Sequence, residues 1–363
     1  MKVLHILSGD LWAGAEVMTT HLLNGLKANE YIDVIVILFN NRKSANEIKK
    51  IGITTIIYDE NKKSFPVLVR DCRNTIKCFK PDIIHSHGYK ENFLAYISSL
   101  GIKVKLVRTQ HGLPEDYANY FSVKSFVRTI FNIYILSRFF NVTVTVSHEI
   151  KNQLISKYHC KTDRLHVIHN GINVPVLEKN EPNDIFVIGT CGRLNPVKNF
   201  SLFVDIAAKV QQRVPEVKFI LAGDGPDKKI LQERVEKNGL NENFIFLGQV
   251  HDMKQFYSQL KLYLNTSLHE GLPMSVVEAM GHQIPVIAPS VGGLVEIITQ
   301  DQDGFLVDGR SKFFFIEKCI ELYENPDLAA RIGRAARKKI KEHFSAQSMT
   351  EKYIQLYKLI QLS

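Results

Sequence analysis

The sequence predicts an α/β protein made of two similar domains. Short apolar runs that read as buried strands alternate with helical patterns along most of the 363 residues. An aperiodic stretch of Pro, Asn and Glu interrupts the series near its middle. The length suffices for two hydrophobic cores, which together imply α/β domains facing a cleft.

The first series opens on the strand Lys2–Leu7, a turn containing Gly14, and a helix through Leu26. The turn lacks G-x-G-x-x-G, so the dinucleotide fingerprint is absent. Gly14 could admit a phosphate close to the backbone or serve the turn alone. A strand over Tyr31–Phe39, a helix over Lys43–Ile51, a strand over Thr54–Tyr58 and a helix over Phe65–Phe79 follow. Pro81-Asp-Ile-Ile then runs into His85 and His87, and Val104–Thr109 into Gln110-His111-Gly112. Ligands of open α/β sheets gather beyond the carboxyl ends of strands, which places these histidines for chemistry. H-x-H also suggests a metal, but no third ligand stands at a recognisable spacing. His87 reads as a hydrogen-bonding residue; for His111 a structural and a functional role fit equally. Val142–Val146 is a strand, Ser147 caps a helix through Tyr158, and Leu165 to Gly171 is a strand and turn. The first domain is therefore 1–170, and 171–184 is the linker.

The second series, 185–344, repeats the logic. The strand Ile185–Cys191 leads to Gly192-Arg193-Leu194 and Lys198, then a helix to Arg213. Two cations on a loop after a strand end suit a diphosphate, and Arg can hold it bidentately. Val217–Ala222 is a strand ending in Gly-Asp-Gly-Pro, and the helix Asp227–Lys237, the strand Phe244–Leu247 and the helix Met253–Leu260 follow. Within Leu264–Pro289, Glu270 precedes Gly271-Leu272-Pro273 in a loop; a helix then starts at Pro273 and carries Glu278. A helix start favours an anion and two carboxylates favour hydroxyls, so a phosphate flanked by sugars would satisfy all three. Solvated surface glutamates are the plain alternative. The chain ends in helices from Lys312 through Leu362, the last of which, from about 345, is expected to return to the first domain.

Composition narrows the classes. With 45% hydrophobic and 23% charged residues, the chain is globular rather than disordered. The net charge of +9 lies wholly in residues 1–170, where 23 Lys and Arg face 14 Asp and Glu. An acidic partner for that half is implied, and nucleic acid is disfavoured because no recognition motif accompanies the charge. Residues 117–148 contain no acid but eight aromatics, with Lys124, Arg128 and Arg138, so the stretch over 117–140 could lie on an anionic membrane. Burial of those aromatics in a core fits as well. Five scattered cysteines without C-x-x-C give neither a disulfide framework nor a zinc site, and a cytoplasmic location is expected.

The residues in this order resemble the retaining glycosyltransferases of family four, of GT-B fold. Ala13-Gly14-Ala15-Glu16 matches the family's Gly-Gly-x-Glu loop, and Asn170-Gly171-Ile172-Asn173 its Asn-Gly-hydrophobic-Asp turn. Gly192-Arg193-Leu194 with Lys198, Ala222–Pro226, and Ser267 through Ala279 match its remaining motifs. Ala13 and Asn173 depart from the pattern without removing a charge. The resemblance implies a nucleotide-sugar donor, expected to be a UDP-sugar, and a glycan or lipid-linked acceptor in surface polysaccharide synthesis. It implies that Arg193 and Lys198 neutralise the diphosphate and that Glu278 holds the ribose. Glu270, with the backbone of Gly271, Leu272 and Pro273, would hold the transferred sugar. Gly14 would approach the phosphates and His111 the sugar. No cofactor and no metal are expected, with retention by front-face attack, on the inner face of the membrane if peripheral. Asp301-Gln-Asp303 has the D-x-D form of a metal motif but reads as a turn. A nucleotide-sugar epimerase or hydrolase, or an inactive nucleotide-sugar binder, remain alternatives.

Overall fold

The computed structural model describes residues 1–9, 14–112, 133, 138–177, 185–308 and 311–362. The chain divides into two compact units, Met1–Gly171 with Ala346–Ser363, and Ile172–Ser345. Most of the 117–140 stretch, together with Ala13 and residues 178–184 of the expected linker, lies outside the described residues.

The first unit is built on β1 (Lys2–Leu7), α1 (Gly14–Lys27), β2 (Asp33–Leu38), α2 (Lys43–Lys50), β3 (Thr54–Ile57), α3 (Phe65–Phe79), β4 (Ile83–Ser86), α4 (Tyr89–Ser99), β5 (Lys105–Gln110), β6 (Val142–Thr145), α5 (His148–Tyr158) and β7 (Leu165–Val167). Its seven strands are parallel in the order β3-β2-β1-β4-β5-β6-β7. Both faces of such a sheet are covered, which is why β1 and β2 read as nearly unbroken apolar runs. Helix ends follow local chemistry: the Ser147 hydroxyl accepts the Ile150 N–H at the start of α5, and Lys80 closes α3 in the left-handed region.

The second unit holds β8 (Val187–Cys191), α6 (Phe200–Arg213), β9 (Lys218–Ala222), α7 (Lys228–Lys237), β10 (Phe244–Gly248), α8 (Met253–Ser258), β11 (Leu262–Leu264), α9 (Met274–Gly281), β12 (Val286–Pro289), α10 (Leu294–Ile297), β13 (Phe305–Val307), α11 (Lys312–Glu324) and α12 (Pro326–His343). Its six strands are parallel in the order β10-β9-β8-β11-β12-β13. Phe203, Phe219 and Phe244 pack edge and face at the centre of its core.

In each sheet the strand order reverses beside the unit's first strand, between β1 and β4 and between β8 and β11. Crevices at such switch points are where these sheets bind ligands. The last helix, α13 (Ala346–Leu362), belongs to the first unit: Thr350 sits against Gly25 of α1, so closely that a methyl at Gly25 would overlap it. Among the described residues, no helix is long and apolar enough to cross a membrane.

Candidate active site

At the carboxyl ends of β8 and β11, the second unit assembles a charged site. The loop after β8 runs through Gly192 and Arg193 into a short helical turn, Pro196–Lys198, in which the Lys198 N–H donates to the Asn195 side-chain oxygen at 3.3 Å. Thr266, after β11, donates its hydroxyl to the Lys198 carbonyl at 3.0 Å, and the Leu268 N–H bonds Val197 at 2.7 Å. The two loops are thereby fixed to each other.

Within that frame Lys198 Nζ donates to Glu270 Oε1 at 2.7 Å. The Ser267 hydroxyl, at 2.6 Å, and the Asn265 amide, at 3.2 Å, donate to the same oxygen. Burial pushes the Glu270 carboxyl up; the Lys198 charge and these hydrogen bonds outweigh it and hold the group below its ordinary range. All three donors converge on Oε1, which leaves Oε2 without a hydrogen bond among the described residues. A buried, ionised carboxylate with one oxygen open can accept from a hydroxyl.

Glu278, on α9, stands in different chemistry. Burial lifts its carboxyl to about 7, and the Tyr257 hydroxyl, which donates to Oε2 at 2.8 Å, only partly counters this. Arg193 is exposed on its loop, and among the described residues its side chain has no hydrogen bond or ion pair. Lys198 and Glu270 are thus joined directly, Glu278 is held by Tyr257, and Arg193 stands exposed on the loop that carries Lys198. Cys191, at the end of β8, feels the charges of both Glu278 and Lys198, but burial pushes its thiol up to about 11 and keeps it inert.

Glycines shape the walls. A methyl at Gly223 would overlap the Gly192 carbonyl, and one at Gly225 the Leu194 backbone, so Ala222–Pro226 packs directly under the arginine loop. A methyl at Gly292 would overlap the Glu270 carbonyl, and one at Gly293 that of Gly271. The Gly293 N–H also bonds Glu270 O at 3.1 Å. Sequence reasoning missed this Val291-Gly-Gly support, along with Asn265 and Tyr257, and it quoted Ser267 as the start of a motif without giving it a role; the paired glycines were the visible signal for the support. Leu272 and Pro273 are buried at the entry to α9. The Asp301–Asp303 segment is a turn: Asp301 lies in the left-handed region, and Asp303 accepts the Thr299 N–H and pairs with Lys339.

The first unit puts histidines at its switch point. His5 of β1 and His85 of β4 are register partners, and His87 and His111 follow the ends of β4 and β5. His85 is held on both nitrogens, Nδ1 at 2.6 Å from the Tyr357 hydroxyl and Nε2 at 2.8 Å from Thr109. His5 Nδ1 lies 3.0 Å from His87 Nε2, and His87 Nδ1 lies 3.4 Å from His111 Nε2. Nitrogens of His5, His85 and His87 all fall within 4.8 Å of one another; both His85 nitrogens are taken by hydrogen bonds, whereas His5 Nε2 has no partner among the described residues, so His5 is the third histidine that spacing did not reveal. Burial lowers all four, His5 to about 3 and His111 to about 4, so they are neutral imidazoles at neutral pH. Gly14 is the first residue of α1 and is half-buried.

Two family models cover the chain in succession: Glycosyltransferase Family 4 over residues 12–175 and Glycosyl transferases group 1 over 177–339. An Escherichia coli UDP-Gal:alpha-D-GlcNAc-diphosphoundecaprenol alpha-1,3-galactosyltransferase is 23% identical over 98% of this chain and 96% of its own. The Staphylococcus aureus poly(ribitol-phosphate) alpha-N-acetylglucosaminyltransferase is 29% identical over 47% of this chain and 35% of its own. Anabaena Alr3699/HepE, solved in complex with UDP and glucose, superposes with a TM-score of 0.84 at 22% identity, over 98% of this chain and 99% of that one. At that identity the likeness establishes the fold, two parallel-sheet α/β domains of GT-B type.

Proposed function

The chain belongs to the family 4 glycosyltransferases, whose two models account for nearly its whole length, and from that premise we propose a retaining enzyme that uses a UDP-sugar. The acceptor would be a hydroxyl of a glycan or lipid-linked intermediate of surface polysaccharide synthesis. Support for this acceptor comes from the relatives, one of which is by name a galactosyltransferase acting on a diphosphoundecaprenol-linked sugar.

The observation that carries the reading is the buried pair of Lys198 and Glu270. Lys198, with the open Arg193, would neutralise the diphosphate and stabilise the departing UDP. Glu270 would offer Oε2 to a hydroxyl of the transferred sugar, with Gly271, Leu272 and Pro273 lining it, and Glu278 would take the ribose hydroxyls. From the first unit, His111 would meet the sugar and Gly14 the phosphates. The reacting charge is then handled by fixed cations without a divalent metal, and the leaving phosphate assists deprotonation of the acceptor. Catalysis would rest on positioning and on charge placed in advance. Peripheral attachment to the inner membrane face is consistent with a lipid-linked acceptor and with the basic excess of the first half.

A ligand that binds only the folded state raises its melting temperature. A thermal-shift panel of nucleoside diphosphates and nucleotide sugars, in chelator, should show stabilisation by uridine ligands that Arg193→Ala reduces. Stabilisation by no nucleotide would sink the donor assignment. Proton spectra of the product's anomeric centre decide retention against inversion.

A further inference from the structure

The histidine chain of the first unit has a direction, and the direction fixes what His111 can do. The Thr19 hydroxyl donates to the Ala15 carbonyl at 2.8 Å, one helical turn back. Its single proton is thereby used, so towards His87 Nδ1, 3.5 Å away, its oxygen can only accept. His87 Nδ1 must then carry the proton and face Thr19 Oγ1 and His111 Nε2 as a donor. Its other nitrogen, Nε2, is left to accept from His5 Nδ1. The reverse order would set two lone pairs against each other at Thr19. Either order leaves one buried N–H unpartnered among the described residues, on His5 Nε2 or on His111 Nδ1, so it is the spent proton of the Thr19 hydroxyl that decides between them.

We propose that His5, His87 and Thr19 are positioning residues that lock His111 as the Nδ1–H tautomer, so that it presents a fixed hydrogen-bond donor and not a base. His111 Nδ1 is buried and unpartnered among the described residues, as a donor awaiting an oxygen acceptor would be. That the oxygen belongs to a hydroxyl of the transferred sugar rests on the function proposed above; the tautomer does not. The second nitrogen's hydrogen bond sets the tautomer of an imidazole, and here that bond comes from another histidine. Burial keeps the whole chain neutral, so the choice is between tautomers and not between charge states.

The test is a long-range proton–nitrogen correlation spectrum of the full chain labelled with ¹⁵N-histidine, with His111 assigned by the signals missing in His111→Gln. A protonated Nδ1 and a bare Nε2 on His111 are expected. A protonated Nε2 would overturn the proposal. His87→Phe removes the donor and should release His111 to the Nε2–H form, with transfer slowed about tenfold at unchanged affinity for UDP. His87→Gln, whose amide can donate in place of the ring, should restore both signals and rate. Melting curves confirm that each variant is folded; if His87→Phe does not fold, His5→Phe is read in the same way. A folded His87→Phe that keeps the wild-type His111 pattern would equally overturn the proposal. If the tautomer is as expected but His111→Gln transfers normally, the tautomer stands and the sugar contact fails.

Discussion

The two units place opposite chemistries at equivalent points of equivalent sheets. Beyond β8 and β11, the second unit buries a full ion pair, Lys198 with Glu270, and a carboxyl poised near neutrality, Glu278. At the switch point of its own sheet, the first unit buries four neutral imidazoles. Burying a charge is tolerable only where a partner repays its desolvation, and the second unit builds that partner from loops 72 residues apart in sequence. Imidazoles without such a partner are buried neutral, as at the first unit's switch point. The difference teaches that parallel sheets of similar topology offer the same place, while the residues at the strand ends decide whether it holds charge or only directional hydrogen bonds.

The sharpest way to separate the two is pH. The histidines have folded values below their ordinary 6.5, so the unfolded chain binds protons that the folded one refuses. Their contribution is present above pH 6.5 and is lost as pH falls towards about 4, with a slope of up to about 5 kcal/mol per pH unit if all four titrate together. Melting curves should therefore collapse steeply on the acid side of pH 6.5. A flat profile between pH 6.5 and 4.5 would show that the cluster is protonated in the fold.

Breaking the ion pair is the next largest effect. Lys198→Ala leaves Glu270 buried without its cation, at a cost of about 3–5 kcal/mol of stability, and transfer should fall about 10²–10³-fold. Lys198→Met with Glu270→Gln should recover most of the stability and none of the activity. Recovery of activity in the double variant would mean that the pair is scaffold alone.

Much of this was legible in the chain. Strands buried on both faces announce themselves as apolar runs, so β1, β2 and β8 were readable almost to their ends. α4 was not, because its inward face carries Glu91, Asn92, Ser98 and Ser99 beside Leu94 and Ala95, which erases the apolar period. Arg193, Lys198 and Glu270 were picked out by loop context, yet nothing local announced that Lys198 and Glu270 touch. That contact depends on Thr266 and Leu268 pinning one loop to the other. Nor could spacing reveal that His5, an ordinary strand residue by pattern, ends a chain leading to His111.

Glu278 sharpens the comparison from within the second unit. Its folded value is raised to about 7, so its contribution is full below the unfolded value and is lost as pH rises through about 7. Ionising it in the empty site costs on the order of 3 kcal/mol. Glu278→Gln should thus raise the melting temperature of the ligand-free protein at pH 8 while weakening UDP binding. A group that harms the free protein yet serves the ligand is the expected signature of a binding residue. A variant that gains stability and binds UDP as well as wild type would reassign Glu278 to the core.

The smallest effect isolates Tyr257. Its hydroxyl lowers the Glu278 carboxyl through the 2.8 Å bond to Oε2, against the burial that raises it. Tyr257→Phe removes that bond at about 1 kcal/mol and leaves the ring stacked on His282, whose centroid is 5.0 Å away. The carboxyl should then titrate higher, and the pH at which UDP affinity reaches its plateau should move alkaline with it. An unchanged pH profile in Tyr257→Phe would mean that ligand binding, not the phenol, sets the charge of Glu278. In that case the contrast between the units narrows to the single pair of Lys198 and Glu270.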